Sequence, residues 1–255
     1  MTLSEHFRTT ARANHLANRR LAGALALLAA EDFHAPRTSF FPSLSRTLDH
    51  LLAVDIYYIA GLHGEADMVD QYRQFSPSPD AADWARRQTV SDLRLIDFCD
   101  ALDDAAMNRA VTLDRGTRLE TNPLGRTLAH LAMHQTHHRG QAHAMLSGTG
   151  LKPPQLDDFL LPADAPARRA DLAALHWSEA LLMGEDAQTA VGALGTVGPP
   201  CYPWMLRAWN TRGSTEADRD AHADPVPQSP DRLAGCLQAP GRPTGRRERQ
   251  RAGGP

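Results

Sequence analysis

Apolar residues recur at steps of three and four over four long segments of the chain, a spacing typical of helices that bury one face. The segments run from about residue 3 to 30, from 43 to 64, from the end of "FSPSPD" to 107, and from 123 to 148. Asn14 and Asn18 fall on the first apolar stripe, so we expect both amides to be hydrogen-bonded between helices. The pattern predicts an all-α protein built as a four-helix bundle.

Two shorter features complete the predicted fold. Between the third and fourth helices, "VTLDRGTRLETN" has β-prone pieces on either side of "DRG", which predicts a short β-hairpin. A short C-terminal helix is expected from about 165 to 182, and residues 1–184 are interpreted as one domain. Residues 185–255 lose the periodicity and are rich in Pro, Gly and Arg, so they are predicted to be a disordered tail.

Composition narrows the classes of function. The net charge is −3 and the most basic stretch lies at the end of the predicted tail, which argues against nucleic-acid binding. The chain has no run of about 18 apolar residues that could span a membrane, and its first residues carry charges where a signal peptide is apolar. Three scattered cysteines form no metal or disulfide pattern, and Cys99 is interpreted as a buried thiol. The expectation is a cytoplasmic protein.

Histidines are concentrated in the fourth helix, where "HLAMHQTHHRGQAHAM" holds five of the twelve. His134 and His138 are one helical turn apart on the apolar side, the spacing of two ligands to one metal ion. His50 borders the apolar face of the second helix and is the best-placed third ligand. Three protein ligands would leave coordination positions open for water or substrate. Core packing or surface exposure of the histidines remains the competing interpretation.

Several polar residues could support such a site. His130 is one turn before His134 and is a reserve ligand, whereas Gln141 would line the mouth of the pocket. Asp49 and Asp55 could orient an imidazole, although a solvated helix surface is the simpler interpretation for Asp49. Arg139 is the other weak candidate for a group on the open side of the metal.

Four motifs together resemble the DinB/YfiT-like superfamily, meaning the damage-inducible DinB proteins and not the lesion-bypass polymerase of that name. They are "HFRTTARANHLANRRL", "SLSRTLDHLLAVD", "LGRTLAHLAMHQTHHRGQAHAML" and "PPQLDDFLL", which cover about residues 3 to 183. The resemblance implies a four-helix bundle with a divalent metal ion, zinc, nickel or iron, held by His50, His134 and His138. Leu16 departs from the family pattern, which usually has an aromatic residue there.

The resemblance also suggests a reaction. Related branches include S-transferases and isomerases that use low-molecular-weight thiols, so a small-molecule substrate and a thiol cosubstrate are expected. A metal ion with an open position can stabilise a thiolate at neutral pH. A metal-dependent hydrolase and a non-catalytic, stress-associated metal-binding or dimerising module remain alternatives. A homodimer is expected from the resemblance alone.

Overall fold

A computed structural model describes residues 1–185 of the chain. Four long helices dominate these residues, and four short helices and one two-stranded hairpin connect or cover them. The helices are α1 (Leu3–Leu25), α2 (Ala30–His34), α3 (Leu44–His63), α4 (Met68–Arg73), α5 (Ala81–Asp100), α6 (Leu124–Leu146), α7 (Ala165–Leu175) and α8 (Glu179–Leu182); the strands are β1 (Ala110–Asp114) and β2 (Leu119–Pro123). Short 3₁₀ helices occupy Asp104–Asn108, Ser147–Thr149 and Pro162–Asp164. The predicted mostly helical fold with a hairpin between the third and fourth long helices is confirmed.

The ends of the long helices follow their capping residues. The Thr2 side chain accepts a hydrogen bond from the backbone N–H of Glu5, and the Glu5 carboxylate accepts one from the N–H of Thr2, so α1 begins with a capping box. Ser43 caps α3 and Asp80 caps α5 in the same way through their side chains. Gly64 ends α3 in the left-handed conformation, with φ of 73°, as the sequence predicts.

Two predicted helices are shorter in the structure. The first ends at Leu25 and not near residue 30, because the chain turns there and α2 returns the buried Phe33 to the core beside Leu25. The third ends at Asp100 and not near Met107. Its continuation is a separate 3₁₀ helix, in which the Asp103 side chain accepts a hydrogen bond from the N–H of Ala106.

The C-terminal and connecting segments also differ from the prediction. The expected helix from 165 to 182 is broken at His176, which has a left-handed φ of 55°, so α7 and α8 are separate. The short helix α4 was not predicted. The predicted tail lies outside the described residues except for Glu185, and its disorder stays a prediction.

The four long helices pack so that α1 lies against α5 and α3 lies against both α5 and α6. Apolar side chains of all four fill the interior, and a smaller cluster joins α1 to the C-terminal segment through Leu16, Phe159 and Leu172. Leu16, the residue that departs from the family pattern, is fully buried in this contact between α1 and the C-terminal segment. No helix among residues 1–185 is both long enough and apolar enough to cross a membrane.

The hairpin is fixed to α3. β1 and β2 pair antiparallel, with Leu113 opposite Glu120, and the turn contains Gly116 with φ of 78°. The Tyr57 hydroxyl donates to the backbone oxygen of Asp114 at 2.6 Å. Leu113 packs against the backbone of Gly61, where an added Cβ would lie only 2.4 Å from a Leu113 methyl carbon. A glycine at this position therefore lets the hairpin approach the helix closely.

Candidate metal centre

The packing of α3 against α6 brings three histidines together. His50 projects from α3, and His134 and His138 project from successive turns of α6. Each offers one ring nitrogen, and these nitrogens lie within 4.8 Å of one another. The structure thus brings together the three residues predicted as ligands, which we call the histidine triad.

The distances within the histidine triad suit a metal ion. The Nε2 atoms of His50 and His134 are 3.2 Å apart. Two ligand nitrogens at about 2.0–2.1 Å from a tetrahedral zinc ion are about 3.3 Å apart. The 3.2 Å separation therefore fits one edge of such a coordination shell, and the donor set of three imidazoles suits zinc, nickel or iron(II).

Burial keeps the triad in the form that a metal requires. Burial first, and then the neighbouring histidines, lowers the pKa of His134 to about 2 and that of His50 to about 3. Burial also lowers the pKa of His138, although the hydrogen bond that its ring donates to Gln141 acts in the opposite direction. Only a neutral imidazole has a lone pair free for a metal, so these shifts favour binding at neutral pH.

Gln141 orients His138. Its Oε1 atom, which can only accept, lies 2.8 Å from Nδ1 of His138, so Nδ1 carries the proton and donates it. The lone pair of His138 is then on Nε2. The amide nitrogen of Gln141 lies 3.1 Å from Nε2 of His137, a hydrogen bond that holds the amide in this orientation. Sequence analysis placed Gln141 at the pocket mouth, and the structure shows a direct contact with one triad residue.

Replacing Gln141 with leucine is expected to weaken zinc binding about 10- to 100-fold, because His138 loses the acceptor that fixes its tautomer and ring orientation. Isothermal titration of the full-length protein with zinc would measure the change. Gln141→Glu keeps an acceptor oxygen at the same place and should retain most of the affinity. Equal affinity in Gln141→Leu and the wild type would contradict an orienting role.

Phe41 forms one wall of the centre. Its ring stacks on that of His50, with 4.3 Å between centroids and 28° between planes, and meets the ring of His138 edge-on at 5.6 Å. Phe41 comes from the loop before α3, outside the periodic segments of the sequence. Its neighbour Phe40 is 77% exposed. The loop therefore turns one aromatic ring toward the histidines and the other toward solvent.

The other histidines of α6 lie outside the triad. His130 contacts the ring of Tyr58, His137 is exposed, and His143 is hydrogen-bonded to the backbone oxygen of Pro154. His130 is thus not part of the group of nitrogens within 4.8 Å.

Neither aspartate predicted to orient an imidazole does so. Asp49 is buried and its carboxylate accepts hydrogen bonds from the backbone N–H of Ser78, so its expected position on a solvated helix surface was wrong. Asp55 is fully buried and accepts hydrogen bonds from Gln88 and Gln135, not from a triad residue.

A buried polar network lies in the interior of the bundle, between the four long helices. We use this name for eight residues from the four long helices: Asn14, His15, Asn18, Asp55, Gln88, Asp92, Gln135 and Arg139. Arg139 donates to the side-chain oxygens of Asn14 and Asn18, and both amide nitrogens donate to Asp92. The predicted hydrogen bonding of the two asparagines is present. Arg139, expected on the open side of a metal, instead fills the core.

A protein-family model described as DinB family matches residues 3–169. That range is well over half of the 255-residue chain. The chain belongs to the DinB family. The resemblance inferred from the four motifs is therefore confirmed, and the histidine triad falls inside the matched region. No curated protein and no solved structure matches the chain significantly. DinB membership and the clustered histidines both fit metal binding.

Proposed function

We propose that this DinB protein binds one divalent metal ion through His50, His134 and His138 and uses it in a thiol-dependent transfer or isomerisation of a small molecule. The single observation that carries the proposal is the convergence of three neutral, largely buried imidazoles from two helices. Three protein ligands leave room for an exogenous ligand, the arrangement of catalytic rather than structural metal sites.

The chain's own residues would prepare the site. Bound there, the metal ion would lower the pKa of a coordinated thiol and so supply a thiolate nucleophile at neutral pH. Gln141 holds the His138 ring in the tautomer that exposes Nε2. Phe41 stacks on the ring of His50 and would limit the access of water from that side. An apolar wall of this kind favours a soft, weakly hydrated sulfur ligand.

The nucleophilic sulfur would have to come from the cosubstrate. Cys99 is the only cysteine among the described residues, and it is buried. Burial and the nearby Asp100 raise the pKa of its thiol to about 12, so it stays protonated at neutral pH. Cys99 is therefore unsuited to act as a nucleophile.

Cobalt(II) gives this proposal a direct optical test. The full-length protein, prepared without a histidine tag and loaded with cobalt, is titrated with 2-mercaptoethanol while sulfur-to-cobalt charge-transfer absorption is recorded. A saturable band in the wild type and none in His138→Ala supports thiol coordination and justifies a screen for thiol-dependent transfers. Bound cobalt without a band at any thiol concentration would contradict it, leaving the hydrolase and the non-catalytic module as the candidates.

We infer the setting of this activity from the sequence. The protein would act in the cytoplasm, where low-molecular-weight thiols are kept reduced, and would work as a homodimer, as the family resemblance suggests. Its partner would be a small molecule and not a nucleic acid.

A further inference from the structure

Arg115, at the tip of the hairpin, is held against Tyr58 of α3, two helical turns beyond His50 of the histidine triad. Its side chain is only 8% exposed. Both terminal nitrogens of the guanidinium donate to the Tyr58 hydroxyl at 3.2 Å, and Nε donates to Glu120 at 3.2 Å. The guanidinium also lies 5.4 Å from the centre of the Tyr58 ring. The position of the charge is therefore fixed by contacts on several sides.

His130 connects Arg115 to the histidine triad. The rings of His130 and Tyr58 are 5.5 Å apart between centroids. The pKa of His130 is lowered by burial and then by the charge of Arg115, and His130 in turn contributes to the lowered pKa of His134. One turn of α6 separates His130 from His134, and two turns of α3 separate Tyr58 from His50. Along the helix axes, these residues therefore lie roughly 6 Å and roughly 12 Å from the triad.

Arg115 pairs with a single carboxylate among the described residues. The N–H donors of its guanidinium are directed to Glu120 and to the Tyr58 hydroxyl, and Tyr57 is also in contact with it. Its one carboxylate partner, Glu120, is 36% exposed and also pairs with Arg118 at 3.6 Å. An arginine so deeply buried normally has a well-desolvated counter-ion. A carboxylate of a ligand held at the histidine triad would provide one through charge-assisted hydrogen bonds.

We propose that Arg115, Tyr58 and His130 form an anion subsite that binds a carboxylate of the molecule coordinated at the histidine triad. This inference rests on the proposed function and narrows it to anionic substrates or thiols whose charged group lies several bonds from the reacting atom. Arg115 supplies the charge, and Tyr58 holds the guanidinium in place. His130, one turn before His134 on α6, is the member of the subsite nearest to the triad along that helix.

The test compares two thiols that differ only in charge. The full-length cobalt-loaded protein is titrated with 6-mercaptohexanoate and with 6-mercaptohexanol, and the charge-transfer band gives both affinities. The wild type is expected to prefer the carboxylate about 10-fold. Arg115→Gln should bind both equally, and Arg115→Lys should retain part of the preference. The shorter 3-mercaptopropionate, which cannot span the distance, should gain nothing from Arg115.

Two further variants separate the subsite from general electrostatics. Arg118→Gln removes the same charge from the same hairpin at a residue 57% exposed, and should keep the preference. Glu120→Gln removes the carboxylate that competes for Arg115, and should raise the preference for 6-mercaptohexanoate a few-fold. Equal affinity of the wild type for both thiols, or the same loss in Arg118→Gln as in Arg115→Gln, would overturn the proposal.

A second measurement keeps the anion subsite testable if no thiol coordinates the metal. The ring resonances of His130 are followed by NMR while hexanoate is added, with hexanol as the neutral control. Saturable shifts with hexanoate in the wild type and Arg118→Gln, absent in Arg115→Gln, would support the subsite even though thiol coordination had failed. No shift in the wild type would refute it.

Discussion

Replacing Arg139 with methionine is expected to lower the free energy of unfolding by about 3–5 kcal/mol at pH 8, because the change removes the arginine charge that faces the buried carboxyl groups of Asp55 and Asp92. It also removes the donor to the Asn14 and Asn18 oxygens, which are themselves buried. Methionine retains most of the apolar volume of the arginine stem. The loss would therefore reflect charge and hydrogen bonding more than packing. Urea unfolding followed by circular dichroism would measure it.

The cost of this substitution should depend on pH. Burial, and then the charge of Asp92, raises the pKa of Asp55 from an ordinary 3.8 to about 7. A raised carboxyl pKa means that the contribution of Asp55 to stability is fully present below pH 4 and is lost as the pH rises through 7. Removing the Arg139 charge raises this pKa further. The destabilisation by Arg139→Met should thus be larger at pH 8 than at pH 5.

Arg94 provides the matched control for Arg139. It pairs with Glu65 at the surface, where the side chains are 35% and 33% exposed. Arg94→Met should cost less than about 1 kcal/mol at either pH, because exposed ion pairs contribute little. If Arg139→Met were no more destabilising than Arg94→Met, the buried polar network would not depend on its arginine.

The second large effect is expected at the histidine triad. His138→Ala removes one of three ligands and should weaken zinc binding by more than about 100-fold, beyond the effect of losing an orienting residue. Zinc at 100 times its dissociation constant should stabilise the wild type by about 2.7 kcal/mol, and the same zinc concentration should leave the variant almost unchanged. Thermal unfolding with and without zinc would show the difference.

His143→Ala is the natural control for that experiment. His143 lies on the same helix but outside the triad, and its ring is hydrogen-bonded to the backbone oxygen of Pro154. Its removal should preserve zinc-dependent stabilisation. Stabilisation of the His138 variant by as much as the wild type would mean that zinc binds elsewhere on the chain.

Much of the helical framework can be predicted from the sequence, because each helix is indicated by the spacing of apolar residues within its own segment. Apolar spacing identifies the four long helices, and the spacing of His134 and His138 places both on one side of α6. His50 is harder, since its place beside them depends on how α3 packs against α6. The expected packing of a four-helix bundle made His50 a candidate, the family resemblance pointed to the same residue, and the structure brings the three side chains together.

Residues that reach the site from loops could not be predicted in the same way. Phe41 and Arg115 come from segments without periodicity, and their contacts with His50 and Tyr58 depend on the path of the chain between elements. The "DRG" turn indicates a hairpin but not the helix against which it packs. Arg139 was misplaced for a different reason, because a charged side chain on a helix is normally expected at the surface.

X-ray absorption at the zinc edge, on tag-free full-length protein with one zinc per chain, tests the central claim most directly. We expect scattering from three imidazole nitrogens at about 2.0–2.1 Å and from at least one lighter exogenous ligand. His138→Ala, loaded under the same conditions, should show fewer imidazoles or no stoichiometric zinc. A wild-type spectrum without three imidazoles, or one unchanged in the variant, would contradict a metal centre formed by His50, His134 and His138.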